Sequence, residues 1–247
     1  MKIDVIVFFS GRGGLGEGFA SYRDGSVFSI AASAEMESSA HSTLLLRAFY
    51  RLIRGDESAE KAYYDYCNFE GSPHPSKVCT AAWQAASDEA LQLELGKEED
   101  NRFLDTVLDR RRLTPNRTVL IGGPPCQAYS LVGRARNRGQ NGYVPEKDHR
   151  HFLYQQYLRM VNRYQPAMFV MENVKGILSS SVGGKRVFHE ILRDLSNPGK
   201  AIEQGAGPRY RIHSLVEPVY FDSSQNPEDF DSAKFVIRAE QYGVPQA

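Results

Sequence analysis

The chain has 247 residues, 41% hydrophobic and 24% charged, an ordinary globular composition that excludes a disordered or low-complexity polypeptide. Thirty Lys and Arg balance thirty Asp and Glu, so only a local patch, not overall charge, could grip a polyanion. The three cysteines, Cys67, Cys79 and Cys126, have neither disulfide nor zinc spacing, and no metal site is expected. The apolar start is too short for a signal peptide or a membrane span, so the sequence reads as a soluble, cytoplasmic protein.

In chain order, Ile3–Phe9 is a β-branched run that reads as a buried parallel strand. A glycine-rich turn, Gly11 to Gly18, leads from it into a helix. Residues 27–34 form a second strand ending in Glu35-Met36-Glu37, and residues 38–54 have helical apolar spacing. Residues 55–116 are charged and rich in Ala, Glu and Leu, and they read as helical, an inserted segment. Thr118–Ile121 is a short strand running into Gly122-Gly123-Pro124-Pro125-Cys126-Gln127. Residues 128–147 carry Gly and Arg without apolar period and read as a loop. An amphipathic helix over 150–164, a break at Gln165-Pro166 and a strand over 167–171 follow. A helix is expected over 189–195, with strands over 210–219 and 235–239. Strands alternating with helices predict an α/β fold: a Rossmann-like open, mostly parallel twisted sheet with helices on both faces, in one domain over 1–247.

Three polar clusters follow predicted strands, and in such sheets ligands bind beyond the carboxyl ends of the strands. The glycine loop lets backbone approach a ligand, a feature shared by dinucleotide, flavin and S-adenosylmethionine sites. Glu35 ends the next strand, where a carboxylate can accept bonds from both ribose hydroxyls. Together they point to an adenosine-containing ligand. Cys126 follows two prolines on a loop, a stiff and exposed setting, whereas Cys67 and Cys79 read as buried structural residues. Glu172 closes the apolar Phe169-Val170-Met171 strand, in register with the strand that leads to Cys126.

The blocks FSGRGGLGEGF, Glu35, GGPPCQAYS, DHRHFLYQQYLRMVNRYQPAMFVMENVKG and QYGVPQ resemble, in order, the signature blocks of the cytosine-5 DNA methyltransferases, including those of restriction-modification systems. The resemblance covers residues 5–246 apart from 55–116, with PPCQ, ENV and YGVPQ its most specific parts. It implies methyl transfer from S-adenosylmethionine to carbon 5 of cytosine in double-stranded DNA, on a base flipped from the stack. It makes Cys126 the nucleophile on carbon 6 and Glu172 the group that bonds the exocyclic amine and ring nitrogen 3. Phe9 would pack on adenine, Gly11 and Gly14 would admit the methionine part, and Glu35 would hold the ribose. Ser10, Gly13, Leu15, Met36 and Pro125 complete the implied cofactor set. Gln127, Ser130, Asn173, Val174, Arg134 and Arg136 make up the implied DNA-binding set. The stretch Arg134–Arg150 carries five basic and two acidic residues, suited to phosphate contact.

There are departures from the family. Val7 stands where the family usually has an acidic residue, and 55–116 shows no adenine-contacting acidic block. After YGVPQ the family continues with arginines spaced QxRxR, a target-recognition domain and a final helix. The lone chain is therefore expected to need that part, supplied for instance by a second polypeptide. An RNA cytosine-5 methyltransferase, a non-catalytic S-adenosylmethionine-binding fragment and a dinucleotide oxidoreductase are the alternatives. The last leaves PPCQ and ENV without a purpose.

Overall fold

The computed structural model describes residues 2–69, 71, 73–125, 149–182, 185–205 and 207–245. The chain divides into two units, Met1–Gly123 with Pro166–Glu172, and Pro124–Gln165 with Asn173–Ala247.

The first unit is built on a parallel sheet. Strand β1 (Ile3–Phe8) is buried from Val5 to Phe8, and the continuous apolar run is what a strand covered on both faces requires. It pairs with β2 (Phe28–Glu35) on one side and β4 (Thr118–Gly122) on the other. Strand β3 (Ala90–Gln92) adds beyond β2 and β5 (Met168–Met171) beyond β4, giving the order β3-β2-β1-β4-β5. The order reverses between β1 and β4, where such sheets open a crevice at their carboxyl ends. Val5, Val7, Val119 and Ile121 pack with Phe19 of α1 (Gly14–Ser21) and with Phe28 and Ile30. Helix α2 (Ser38–Ile53) buries Leu44, Ala48, Phe49 and Ile53 against Trp83 and Ala86 of α5 (Thr80–Glu89). Arg51 of α2 is ion-paired with both Glu17 of α1 and Glu89 of α5. Burial pushes the Glu89 carboxyl up, against the pull of Arg51.

The segment read as helical throughout does supply α3 (Glu57–Cys67), α4 (Pro75–Val78), α5 and α6 (Glu98–Arg111), but it also supplies β3. Three residues, Ala90-Leu91-Gln92, are too few to show a strand period, and only their pairing with β2 makes them extended. Cys67 is a second correction: it is exposed at the end of α3, and Cys79 is half-buried.

The second unit uses helices and very short ribbons, the first of them β6 (Ser181–Val182) paired antiparallel with β7 (Lys185–Arg186). Helix α7 (His149–Tyr164) ends as Gln165 turns left-handed (φ 44°) before Pro166. Helix α8 (Val187–Ser196) buries Val187, Phe188, Ile191, Leu192 and Leu195, and its Phe188 and Leu192 cluster with Phe221, Ile212, Phe230 and Phe235. The strand expected over 210–219 is a ribbon of two-residue strands, β8 (Ile212–His213) and β9 (Tyr220–Phe221). Ser214 turns the chain there: its hydroxyl accepts from the Val216 and Glu217 amides, and its own amide donates to the Val219 carbonyl. The strand expected over 235–239 is replaced by 3-10 turns at Ser232–Phe235 and Ala239–Tyr242. The Asp231 side chain captures the Ala233 amide and starts the first of them.

Candidate functional site

Strand β1 hands the chain to the glycine loop through Phe9, whose backbone is left-handed at φ 52°, costly for an aromatic residue. Gly11 (φ 53°) and Gly13 (φ 85°) continue in that region, where glycine alone is at ease. Gly13 is the N-cap of α1 and offers no side chain to cap it. Side chains built on Gly11 or Gly14 would meet only open space. A bare helix start beside backbone without side chains is suited to an anionic or polar ligand group.

Glu35 ends β2 beside this loop. Its Oε2 accepts from the Gly11 amide at 2.7 Å and its Oε1 from the Glu37 amide at 2.9 Å. Glu37 in turn caps α2, accepting from the amides of Ser39 (3.1 Å) and Ala40 (2.6 Å). The Ser39 hydroxyl, then those amides, hold its carboxyl below the ordinary range. Met36, between them, is exposed, and its carbonyl lies 3.5 Å from Gln92 Nε2 of β3. Gln92 shares the sheet edge with Glu35, its register partner, and was missed because β3 was missed.

Between the carboxyl ends of β1 and β4 lies a cavity of about 270 Å³ lined by Val7, Phe8, Phe9, Ser10, Leu15, Gly122, Gly123 and Glu172. It lies wholly within the first unit. Ser10 is fixed there by its amide bond to the Ala34 carbonyl (3.2 Å). Glu172 follows β5, and its amide donates to the Gly122 carbonyl at 2.9 Å, which extends the β4–β5 ladder by one bond. Its carboxylate then folds back over Gly123: a methyl group built on Gly123 would stand 2.7 Å from Glu172 Oε2. Val7, the departure from the family pattern, is buried and contributes an apolar wall.

In the second unit, Pro124 is buried and Pro125 half-buried. Asn173 Nδ2 donates to the Pro124 carbonyl at 3.0 Å, and Asn173 Oδ1 accepts from the Val174 amide at 2.9 Å. Asn173 thus braces the backbone two residues before Cys126, while Val174 is exposed. Cys126, Gln127, Ser130, Arg134 and Arg136, with the loop 128–147, lie outside the described residues. The structure therefore brings together Phe9, Ser10, Leu15 and Glu172 around one cavity, with Gly11, Gly13, Gly14, Glu35 and Met36 on the adjoining edge. Gly123, not singled out from the sequence, joins them; its signal was the need for a residue without a side chain next to the strand end. Among the described residues no group of His, Cys, Asp and Glu is arranged to hold a metal, and no helix is long and apolar enough to cross a membrane.

Residues 95–215 match the family model of the C-5 cytosine-specific DNA methylases. The chain is 34% identical over 228 residues to the Type II methyltransferase M.Bpa9945I of Bacillus paralicheniformis, covering 85% of this chain and 49% of that protein. It is 29% identical over 181 residues to M.BspRI of Lysinibacillus sphaericus, covering 72% and 40%. It is 25% identical over 234 residues to M.BsuRI of Bacillus subtilis, covering 91% and 45%. The chain spans half or less of the length of these curated relatives.

Proposed function

The chain belongs to the C-5 cytosine-specific DNA methylase family, with its Rossmann-like methyltransferase fold, and from that membership we propose that it carries the methyl-transfer half of a modification enzyme acting on double-stranded DNA. The observation that carries the reading is the cavity at the strand-order reversal, with the Glu172 carboxylate on one wall and the glycine loop on another. In sequence, Gly123-Pro124-Pro125-Cys126 follows β4. The part of the relatives that lies beyond this match, in the same polypeptide or a second one, would supply target recognition. A DNA substrate would suit a cytoplasmic protein.

The residues fit S-adenosylmethionine as donor. Gly11 and Gly14 leave room for the amino-acid part, Phe9 offers a ring to the adenine, and Glu35 keeps lone pairs for the ribose after its two backbone bonds. Ser10, Gly13 and Leu15 shape the same loop, Met36 follows Glu35 at the sheet edge, and Pro125 would complete the cofactor set. When bound, this cofactor supplies an electrophilic methyl group.

The remaining chemistry belongs to the chain. A cysteine with its usual pKa near 8.5 is only a few per cent thiolate at neutral pH, so Cys126 acts as its proton leaves. Its sulfur bonds to carbon 6 of a flipped cytosine, and the carbon 5–carbon 6 π pair becomes available at carbon 5. Glu172 bonds ring nitrogen 3 and the exocyclic amine, stabilising the charge that moves into the ring. After transfer the carbon 5 proton leaves and the sulfur is expelled, which restores the aromatic ring and the free thiol. Asn173 holds the loop before Cys126. Gln127, Ser130 and Val174 would border the base, and Arg134 and Arg136 would meet phosphates.

The test is covalent trapping on duplex DNA containing 5-fluorocytosine, with the target-recognition part present. Wild type should form a stable adduct, and Cys126→Ser should form none while still binding cofactor. Glu172→Gln should slow transfer by about 10²–10³. Trapping that survives Cys126→Ser and is lost in Cys67→Ser would refute the assignment.

A further inference from the structure

Glu35 is engaged by the protein's own backbone. Both of its carboxylate oxygens hold backbone: Oε2 takes the Gly11 amide and Oε1 the Glu37 amide. Gly11 lies two residues after Phe9, and both are left-handed. Apart from Glu35, the loop is fastened to the sheet at this point by the Ser10 amide on the Ala34 carbonyl and the Ser10 hydroxyl on the Val7 carbonyl, each at 3.2 Å, and internally by the Gly13 amide on the Ser10 carbonyl at 2.9 Å. A left-handed Phe9 persists only where its surroundings over-determine it. The charge-assisted bond from Gly11 is the shortest of these four restraints, and it joins the loop after β1 to the end of β2.

We propose that Glu35 is a positioning residue as well as a ligand: its carboxylate locks the glycine loop into the shape that forms the cavity wall, so it governs binding even of molecules it does not touch. The inference rests on the cofactor reading given above and extends it. A carboxylate has about four lone-pair sites, and the lock uses two, so locking and ribose binding operate together. Removing the side chain frees the Gly11 amide and lets Phe9 leave its left-handed conformation, which shifts the wall that Phe9 and Ser10 form. A glutamine keeps one accepting oxygen but turns its NH₂ toward one of the two amides, donor against donor. Only one of the two restraints survives.

Two measurements on the full chain decide the matter. In the first, calorimetry compares S-adenosylhomocysteine with its 2′,3′-dideoxy analogue, which offers Glu35 no hydroxyl. Glu35→Ala should weaken the dideoxy compound by about tenfold or more, the size expected for loss of a charged hydrogen bond, and Glu35→Gln should fall between. Unchanged affinity for the dideoxy compound in Glu35→Ala overturns the proposal. In the second, amide hydrogen exchange is followed at Gly11 without any ligand. Exchange should accelerate by about tenfold or more in Glu35→Ala and less in Glu35→Gln, and equal rates in all three proteins overturn the lock. If wild type binds neither nucleoside, the cofactor reading falls, and exchange at Gly11 still decides whether the lock exists.

Discussion

The two units solve the problem of burial differently. In the first, strands of three to eight residues form one ladder with continuous buried stretches in β1, β2 and β4, and Arg51 meets both Glu17 and Glu89. In the second, the extended segments among the described residues are two residues long, and the core carries polar groups with poorer company. Asn162 Oδ1 and His189 Nε2 are buried without hydrogen-bond partners among the described residues. Asp194 is pushed up to about 6 by burial and by Glu190, against Arg193 and the Tyr154 hydroxyl. Unmet buried polar groups cost stability that regular ladders do not. The first unit should therefore tolerate changes at its charged rim better than in its strands, and the second should gain from losing a charge.

The sharpest way to test the contrast is to open the sheet. Leu120 on β4 is fully buried, and Leu120→Ala should cost the first unit about 3 kcal/mol. The single tryptophan, Trp83, lies in that unit, so its fluorescence in a denaturant titration reports the loss. A cost below about 1 kcal/mol would mean the strands are not the unit's anchor. Next in size is Arg51→Met, which strands Glu17 and Glu89. A loss of roughly 2 kcal/mol at pH 7 by the same signal is expected, less than for a fully buried pair because the ion pairs are partly solvated. Since burial raises the Glu89 pKa, the loss should shrink at acid pH as that carboxylate becomes protonated.

The smallest effect belongs to Asp194. Its folded pKa, about 6, lies above the ordinary 3.8. The folded state therefore holds the proton more tightly, and stability present below pH 3.8 is lost as pH rises through 6. Asp194→Asn should remove that loss and stabilise the second unit by about 1–2 kcal/mol at pH 8, after discounting for partial exposure, with no gain near pH 4. Hydrogen exchange at the α8 amides reads it, and an equal gain at both pH values would show that Asp194 does not titrate in this way.

The same contrast governs what could be read from the sequence. Strands β1, β2, β4 and β5 were legible because each is a β-branched or apolar run ending at a polar cluster, and the site residues Glu35 and Glu172 stand at those ends. Strand β3 was not, because three residues in an Ala- and Leu-rich stretch carry no period of their own. The β8–β9 ribbon and the turns at 232–242 were misread as single strands because Ser214 and Asp231 redirect the backbone through their own side chains. Gly123 escaped notice because its part in the site is an absence of atoms.

That last residue has a genetic consequence. Every single-base change that replaces a glycine codon with another amino acid adds at least one carbon at the Cβ position, and at 123 that carbon would fall 2.7 Å from the Glu172 carboxylate oxygen. Natural drift therefore has no neutral neighbour to visit at this codon. In a population of sequences position 123 would look as fixed as the nucleophile itself, although it carries no group that reacts. A reader ranking residues by constancy would assign it chemistry, whereas its contribution is a vacancy kept open for the side chain beside it.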